Sequence, residues 1–434
     1  MREMKDSGIS WVGEIPKEWN KRPIRSIIKS RVGGVWGDDI NDDIQGVVCI
    51  RIADFDFSKR KIKDVSSDLL TYRLYNSIQI QKYSLQKNDI LIEKSGGGEK
   101  TPVGRAILFD KNYKALFANF MDRIRIDDSI ALPVFAEYWL WNLYSCRVTP
   151  YYINQTIGIQ NIDLTFMLAK EKICFPALDE QQRIAEFLDR ECGKIDGLKA
   201  DIQAQIDTLE QYKRSVITEA VTHGLNPSAP MKDSGIPWVG KIPEYWKVGR
   251  IGGLYELRNQ KVSDKDFMPL SVTMKGILPQ LETAAKTNDG DNRKLVRVGD
   301  FAINSRSDRR GSCGISDYDG SVSLINTILK PRNRMNAKYY NWLFHTPMFA
   351  DEFYKWGHGI VDDLWTTNWS EMKRISIPVP PLDEQQEITD YLDHKCAEIE
   401  QIIADKKSQI ETLDGYKKSL IYEYVTGKKE VVGR

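Results

Sequence analysis

The sequence lacks the residue patterns that build metal centres, disulfide frameworks and membrane spans. Its 6 cysteines include no CxxC pair and its 4 histidines are dispersed, so neither a zinc cluster nor another metal site is expected. No run of about 18 apolar residues predicts a membrane span, and the N-terminus lacks the apolar run of a signal peptide. These absences indicate a protein of the reducing cytoplasm.

A surplus of one charge is also missing. The net charge of +1 does not match the basic character of a typical nucleic-acid-binding domain. The average hides a division, because residues 25–174 and 252–379 each carry a net +3, whereas residues 175–224 and 380–434 each carry a net −4. A surplus this small fits an ordinary solvated surface as well as a DNA-binding one, so charge alone leaves the partner open.

Two blocks of the sequence occur twice. MKDSGISWVGEIPKEW (Met4–Trp19) returns as MKDSGIPWVGKIPEYW (Met231–Trp246), and we call these two the MKDSG blocks. PALDEQQRIAEFLDRECGKID, which starts at Pro176, returns as PPLDEQQEITDYLDHKCAEIE, which starts at Pro380. Internal repeats of this size predict a tandem duplication, and 434 residues suffice for two to four domains.

The second pair of blocks has apolar residues every seven positions. A sustained seven-residue period predicts a long helix that packs against another helix, as in a coiled coil. The predicted packing positions of the first helix are Leu188, Ile195, Ile202, Leu209 and Val216, with Leu198, Ile206 and Tyr212 beside them. Those of the second helix are Leu392, Ile399, Leu413 and Leu420, with Ile402, Ile403, Ile410 and Tyr416 beside them.

The residues between each MKDSG block and the following helix differ between the two copies, and we call residues 25–174 and 252–379 the variable segments. Both follow one plan of turn, short apolar strand, polar loop, further strands and an aromatic helix, which predicts a mixed α/β domain in each. The predicted layout is residues 1–174 as the first MKDSG block and domain, 175–224 as a helix, 225–379 as the second MKDSG block and domain, and 380–434 as a helix.

The polar loops of the variable segments are candidate binding elements. KSGGGEKT, from Lys94 to Thr101, fails as a phosphate-binding loop because GxxxxGK[ST] requires glycine where Glu99 stands. NSRSDRRGS, from Asn304 to Ser312, places arginines among serines, and arginine is the usual two-donor reader of guanine. The alternative is a solvated loop whose arginines pair with Asp308 or Asp317.

Two such loops at matching places favour contact with nucleic acid over ordinary surface. Their lysines, arginines and hydroxyls can donate to phosphates or base edges, and short amide side chains near a Gly-Ile turn are secondary candidates. The predicted DNA-binding residues are Lys94, Ser95, Lys100, Thr101 and Arg105, then Gln155, Thr156, Gln160 and Asn161, and then Asn304, Ser305, Arg306, Ser307, Arg309, Arg310 and Ser312.

Taken together, the motifs resemble those of the specificity subunit of type I restriction–modification systems. The resemblance rests on MKDSGIxWVGxIPxxW in both MKDSG blocks, on LDEQQ at Leu178–Gln182 and Leu382–Gln386, and on the long helix after each. It implies two target recognition domains, each reading one half of a split site in double-stranded DNA. It also implies that two antiparallel helices act as the spacer between the domains, with pseudo-two-fold symmetry, and that these helices bind two copies of a modification subunit.

The resemblance further implies partners that carry the chemistry. The expected partners are two modification subunits, which are adenine-N6 methyltransferases using S-adenosylmethionine, and restriction subunits using ATP and Mg²⁺. This chain lacks NPPY-like, FxGxG and Walker motifs, so no cofactor and no catalysis are expected in it. The expected location is the cytoplasm, in association with the nucleoid. The alternatives are a coiled-coil scaffold protein and a stand-alone nuclease.

Overall fold

The computed structural model describes residues 2–40, 46–156, 158–280, 290–332, 335–359 and 365–431. The chain forms two compact units: the first comprises Met1–Gln203 with Lys407–Arg434, and the second comprises Ala204–Lys406. Each unit contains one MKDSG block, one variable segment and part of each long helix. The units therefore divide the chain differently from the four predicted segments, because the helices are shared between them.

The described part of the first unit contains short strands, helices of which the longest continues into the second unit, and the C-terminal part of the last helix of the chain. The strands are β1 (Met4–Asp6), β2 (Glu14–Pro16), β3 (Asn20–Pro23), β4 (Ile28–Gly33), β5 (Val47–Ile50), β6 (Phe55–Asp56), β7 (Lys61–Ile62), β8 (Tyr72–Arg73), β9 (Ile90–Glu93), β10 (Ser95–Gly96), β11 (Ala106–Leu108), β12 (Ala115–Phe117), β13 (Met121–Ile126), β14 (Ile153–Thr156), β15 (Ile159–Ile162) and β16 (Lys172–Phe175). The helices are α1 (Ser77–Tyr83), α2 (Pro133–Ser145), α3 (Leu164–Lys170) and α4 (Leu178–His223).

The second unit has a similar composition of elements, and its last helix continues into the first unit. The strands are β17 (Met231–Ile236), β18 (Gly240–Pro243), β19 (Lys247–Arg250), β20 (Tyr255–Leu257), β21 (Lys261–Val262), β22 (Leu270–Thr273), β23 (Gly276–Pro279), β24 (Arg293–Val296), β25 (Phe301–Asn304), β26 (Cys313–Ile315), β27 (Gly320–Val322), β28 (Asn326–Pro331) and β29 (Ser376–Val379). The helices are α5 (Ile251–Leu254), α6 (Ala337–Phe344), α7 (Pro347–Lys355), α8 (Trp369–Met372) and α9 (Leu382–Val425).

Each variable segment is organised around a four-stranded antiparallel sheet. The strand order is β11-β9-β13-β4 in the first unit and β26-β25-β28-β20 in the second, so equivalent strands occupy equivalent places. The register also agrees, because Met121 pairs with Glu93 and Asn326 pairs with Asn304. These sheets, with the helices that cover them, confirm the predicted mixed α/β class.

The aromatic helix of each variable segment supplies much of the core. Phe135, Tyr138 and Trp139 on α2 are fully buried in the first unit, in one cluster with Trp19 of the first MKDSG block. In the second unit α6 contributes Tyr339, Tyr340, Leu343 and Phe344 to a cluster that contains Trp246 of the second MKDSG block. Large aromatic side chains bury much apolar area each, so block and helix are joined mainly by hydrophobic packing.

The MKDSG blocks are β-hairpins whose repeated residues are structural. The Asp6 carboxylate accepts a hydrogen bond from the Gly8 amide at 2.8 Å, and Gly8 has a φ of +64°, a conformation that favours glycine. Lys5 Nζ donates to the Trp19 carbonyl oxygen at 2.8 Å and closes the hairpin. The second MKDSG block repeats these contacts, at Asp233 with Gly235 (2.9 Å) and at Lys232 with Trp246 (2.7 Å).

Within each unit the two long helices pack antiparallel. In the first unit Phe187 of α4 stacks near Tyr424 of α9, with ring centroids 4.4 Å apart, and further along Lys199 pairs with Asp414. In the second unit Lys213 pairs with Glu400, and Gln205 accepts a hydrogen bond from Lys406. The prediction of two long helices packed on each other is confirmed. No helix in the described ranges is long and apolar enough to cross a membrane.

The residues predicted beside the helix seam fall on two sides of it, of which the structure buries only one. The seven-residue positions are buried at Leu188, Ile195, Leu392, Ile399 and Leu420 and half-buried at Ile202, Leu209 and Leu413. Residues four positions later lie about 40° to one side of the seam and are buried, as at Ile206 and Ile403. Residues three positions later lie about 60° to the other side, and they are exposed, namely Leu198, Tyr212, Ile402 and Tyr416.

Candidate nucleic-acid interface

A polar loop follows the same strand of the main sheet in both units. In the first unit the Glu93 amide donates to the Arg105 carbonyl oxygen at 2.9 Å, which closes the loop that contains Lys94–Thr101. In the second unit the Asn304 amide donates to the Ser312 carbonyl oxygen, also at 2.9 Å. Both loops therefore leave the sheet after β9 or β25 and return at the start of the neighbouring strand, as the sequence predicts.

The first loop exposes Lys100 and Thr101 to solvent. Lys94 is half-buried, and its Nζ lies 3.1 Å from a carboxylate oxygen of Asp122. The hydroxyl of Ser95 donates to Oδ1 of Asn161. Lys100 and Thr101 are therefore the predicted residues of this loop that are most accessible to DNA, whereas Lys94 and Ser95 are already engaged with protein groups.

Arg105 requires a correction to the predicted interface. Its Nε and Nη2 donate to the Glu93 carboxylate at 2.8 and 2.6 Å, and its guanidinium lies 3.5 Å from the ring centroid of Phe57. Glu93 is buried, so this ion pair is shielded from solvent. Arginine side chains with two donors committed in this way hold the base of a loop together, and Arg105 therefore has a structural role.

The hairpin β14–β15 pairs with the first loop through β10, and its four predicted residues differ in how they are placed. Gln155 is exposed, and only the backbone of Thr156 is described. Asn161 is exposed but accepts the hydrogen bond from Ser95. Gln160 is buried, and its Oε1 accepts a hydrogen bond from the Val103 amide at 3.3 Å. The structure thus assigns Gln160 to the inside of the hairpin rather than to a DNA surface.

Three predicted residues of the second loop are buried and stabilise its shape. Oδ1 of Asn304 accepts a hydrogen bond from the Arg306 amide at 3.1 Å, and the hydroxyls of Ser305 and Thr327 lie 2.8 Å apart. The Ser312 amide donates to the carbonyl oxygen of Arg309 at 3.1 Å. The side chains of Asn304 and Ser305 therefore make internal contacts in place of the predicted DNA contacts, and Ser312 is buried, which also corrects its predicted DNA contact.

The arginines of the second loop differ in how far they are engaged. Arg309 is the most accessible, with 68% of its side chain exposed and its Nε 3.8 Å from an Asp308 oxygen. Arg306 Nε lies 3.2 Å from the other Asp308 oxygen, so the alternative pairing with Asp308 is present for both. Arg310 pairs with Asp351, and its guanidinium lies 5.7 Å from the Tyr354 ring centroid.

Beside this loop lies an open cavity of about 350 Å³. Its lining includes Arg306, Asp308, Arg309, Ser323 and Asn326. The Ser307 amide donates to the carbonyl oxygen of Trp365 at 2.9 Å, which fixes the start of the loop against the neighbouring chain segment. The accessible guanidinium groups are therefore displayed from a backbone that is hydrogen-bonded at several points.

One cysteine–histidine contact in the second unit does not form a reactive pair. Sγ of Cys313 lies 3.7 Å from Nε2 of His345, but Cys313 is fully buried, and burial raises the pKa of its thiol well above the usual value. A raised pKa disfavours the thiolate that nucleophilic chemistry needs. Among the described residues, no group of three histidine, cysteine, aspartate or glutamate side chains is placed to hold a metal ion.

Comparison with known proteins agrees with this duplicated organisation. The chain is 23% identical over 436 residues to the putative type I restriction enzyme MjaX specificity subunit of Methanocaldococcus jannaschii, covering 97% of this chain and 96% of that protein. It is also 23% identical over 313 residues to the type I restriction enzyme MjaVIII specificity subunit of the same organism, covering 67% and 70%.

A solved structure shares the fold. It is described as "Structural basis underlying complex assembly and conformational transition of the type I R-M system", and it superposes with a TM-score of 0.68 at 14% identity, covering 96% of this chain and 99% of that one. The profile of the family described as "Type I restriction modification DNA specificity domain" matches twice, at residues 16–208 and 243–412. This chain therefore belongs to the type I restriction–modification DNA specificity family.

Proposed function

We propose that this chain is the non-catalytic DNA-recognition subunit of a type I restriction–modification complex. The observation that carries the proposal is that two variable segments of unlike sequence build the same sheet order and place a polar loop after the same strand. Two recognition elements on one chain suit a DNA site made of two separated halves. The names of the similar specificity subunits support this function.

Each loop supplies chemistry that suits one half-site. In the first unit the exposed Lys100, Thr101 and Gln155 can donate to phosphates and base edges. In the second unit Arg309 can present two parallel donors to the O6 and N7 acceptors of a guanine, because a guanidinium is planar. The weak charge of the whole chain suits a complex in which partner subunits make many of the phosphate contacts.

The long helices are proposed to bind two copies of a modification subunit, which is a methyltransferase. The exposed apolar residues occur at equivalent positions of the duplication, since Leu198 corresponds to Ile402 and Tyr212 to Tyr416. Apolar side chains that are exposed together mark interaction sites, and the recurrence of these exposed positions in both halves supports a shared use. A duplicated chain can therefore bind two identical partners through two equivalent sets of exposed residues.

The partners are proposed to supply all the cofactor chemistry. The methyltransferase subunits would bind S-adenosylmethionine, and restriction subunits would bind ATP and Mg²⁺. The recognition subunit would act where the target DNA is, in the cytoplasm and at the nucleoid. The recognition subunit would bind the target DNA and position the methyltransferases on it. The DNA sequence that it selects would decide which adenines they reach.

The test is to express the chain with its methyltransferase subunit in a host that lacks adenine methylation and to map N6-methyladenine. We expect a two-part motif with one methylated adenine on each strand. Replacing residues 252–379 by the corresponding segment of a relative should change one half of the motif and leave the other half unchanged. A matched replacement of residues 25–174 should change only the other half.

Two results would contradict the proposal. One is a soluble complex with an active methyltransferase whose methylation pattern ignores both replacements, because the variable segments would then not select the sequence. The other is Mg²⁺-dependent DNA cleavage by the purified chain alone, which would favour the nuclease alternative.

A further inference from the structure

The two recognition domains share a second feature beside the polar loops. The turn between β12 and β13 comprises Ala118–Met121, and the turn between β27 and β28 comprises Ser323–Asn326. Each is closed in the same way, because the Met121 amide donates to the Ala118 carbonyl oxygen at 3.3 Å and the Asn326 amide donates to the Ser323 carbonyl oxygen at 3.1 Å. The turns are therefore equivalent, although their sequences, ANFM and SLIN, share no residue at matching positions.

The third residue of each turn is hydrogen-bonded to the first part of the polar loop. The amide of Lys94 donates to the Phe120 carbonyl oxygen at 2.9 Å, and the amide of Ser305 donates to the Ile325 carbonyl oxygen at 3.2 Å. Lys94 and Ser305 are equivalent, since each directly follows the strand that the loop leaves. The backbone of Phe120 and of Ile325 is thus held directly beside the loop in both domains.

Both residues turn an apolar side chain to solvent. Phe120 is 49% exposed and Ile325 is 41% exposed. Single exposed apolar residues are common on protein surfaces, but tight turns favour glycine, asparagine, aspartate, serine and proline. An apolar residue at the same turn position in two domains of unlike sequence is therefore not explained by the turn, and each lies beside a candidate DNA-binding loop.

The DNA major groove contains an apolar group that such side chains can contact. Among the groups that base edges present there, the C5-methyl group of thymine is the apolar one, and phenylalanine and aliphatic side chains recognise it by contact. We propose that Phe120 and Ile325 each contact a thymine methyl group, one in each half-site. This inference rests on the proposed function and adds thymine to the donor and acceptor chemistry of the loops.

The test removes the thymine methyl group from the DNA and the apolar side chain from the protein, separately and together. The complex of the full chain with its methyltransferase is titrated with duplexes carrying its mapped site, and each thymine in turn is replaced by deoxyuridine, which lacks only the methyl group. We expect one such replacement in each half-site to weaken binding about fourfold, the effect of one buried methyl-sized group. Fluorescence anisotropy of labelled duplexes gives the Kd.

The protein change should remove the response to the DNA change. With Phe120→Ala we expect weaker binding to thymine DNA and no further loss with deoxyuridine at the sensitive position of one half-site. Ile325→Ala should do the same for the other half-site. Both substitutions leave the backbone carbonyl that Lys94 or Ser305 uses, so the loop is retained. Matched controls are Leu69→Ala and Val298→Ala, which shorten exposed apolar residues elsewhere in the same domains.

Several outcomes would overturn the inference and leave the proposed function intact. One is specific binding of a two-part site with no sensitivity to any deoxyuridine, and another is sensitivity to deoxyuridine in only one of the two half-sites. A third is an equal loss from Phe120→Ala on thymine and deoxyuridine DNA, which would indicate contact with another group. Failure to bind any two-part site would instead count against the proposed function.

Discussion

Gln385 joins the start of the second long helix to the aromatic helix of its recognition domain. Its Oε1 accepts a hydrogen bond from the Asn336 amide at 2.9 Å, and its Nε2 donates to the Pro380 carbonyl oxygen at 2.9 Å. Gln181 makes the same pair of contacts in the first unit, with the Leu132 amide at 2.8 Å and the Pro176 carbonyl oxygen at 3.0 Å. The repeated LDEQQ motif therefore contains a buried structural joint.

Removing this joint should destabilise the protein. Gln181→Leu leaves the Leu132 amide and the Pro176 carbonyl oxygen without their buried partner, which costs about 1–3 kcal/mol per unsatisfied group. Two groups lose their partner, so we expect a loss of about 2–6 kcal/mol in the free energy of unfolding, measured by urea titration. Gln182→Leu is the matched control, because Gln182 is exposed and its amide donates only to Glu186. Equal losses from the two substitutions would contradict the structural role of Gln181.

The two halves should also differ in the strength of one repeated ion pair. Lys417 has only 5% of its side chain exposed, and its Nζ lies 2.7 Å from both carboxylate oxygens of Asp196 and 2.8 Å from the Ser58 carbonyl oxygen. Its counterpart Lys213 is 24% exposed and pairs with Glu400, which is 64% exposed. The first pair is therefore shielded and the second is largely solvated.

Substitution by methionine measures this difference. Lys417→Met leaves a half-buried carboxylate without its cation, and we expect a loss of about 3 kcal/mol in the free energy of unfolding. Lys213→Met should cost less than about 1 kcal/mol, because exposed ion pairs contribute little. Urea titration of both variants at equal salt makes the comparison. If the Lys213 variant loses as much as the Lys417 variant, the burial argument is wrong.

The helix seam shows how far local pattern carries a prediction. Both long helices and their packing on each other follow from a seven-residue period, which is read from the sequence alone, whereas the antiparallel direction is what the family resemblance implies. The period is equally compatible with burial of the residue three places after each seam residue and of the residue four places after it. Which flank is buried depends on the elements packed around the helices, and so the sequence pattern places Leu198 and Tyr212 beside the seam although they are exposed.

The candidate interface is predictable in place but only partly in detail. Polar residues after equivalent strands locate both loops, and Arg309 and Lys100 are exposed as expected. The same residue types also shape a loop from within, and a sequence does not separate Ser305, which bonds to Thr327, from a serine that faces DNA. Sequence reasoning misses Phe120 because an exposed apolar residue in a strand-rich segment resembles a core residue.

The exposed flank of the helices should be required for binding the methyltransferase and dispensable for folding. Tyr212→Ala and Tyr416→Ala each remove an exposed ring, so we expect changes of less than about 0.5 kcal/mol in stability. Each substitution should weaken one of the two proposed sites by about 2 kcal/mol or more, as is typical of a central interface tyrosine. Native mass spectrometry of the complex should show one bound copy for each single variant and none for the double variant.

The matched control for the docking patches is the opposite surface of the same helix. Arg214→Ala and Lys418→Ala each remove an exposed side chain two positions after Tyr212 or Tyr416, which lies about 160° away around the helix. Both variants should bind two copies. A Tyr212 and Tyr416 double variant that still binds two copies would show that docking uses another surface.

Arg309 should be the base-reading arginine of the second loop. It is the most exposed of the three arginines there, whereas Arg310 already pairs with Asp351. We expect Arg309→Ala to weaken binding by about 1–3 kcal/mol and to relax selection at one position of one half-site. Arg309→Lys keeps the charge but loses the two-donor geometry, so it should restore part of the affinity without the selectivity. Binding is measured by anisotropy against duplexes in which each base pair of the site is changed in turn.

The control for this prediction is an arginine of the same domain at the other end of the same strand. Arg297 directly precedes the turn, residues 298–300, that leads into β25, and its side chain pairs with Asp319. Arg297→Ala should leave both affinity and selectivity unchanged. If Arg309→Ala instead weakens binding equally for every sequence and lowers the salt slope by about one, the side chain contacts a phosphate. Selection in the second half-site would then have to come from Arg306. Its Nε lies closer to Asp308 than that of Arg309, so this ion pair would have to open when DNA binds.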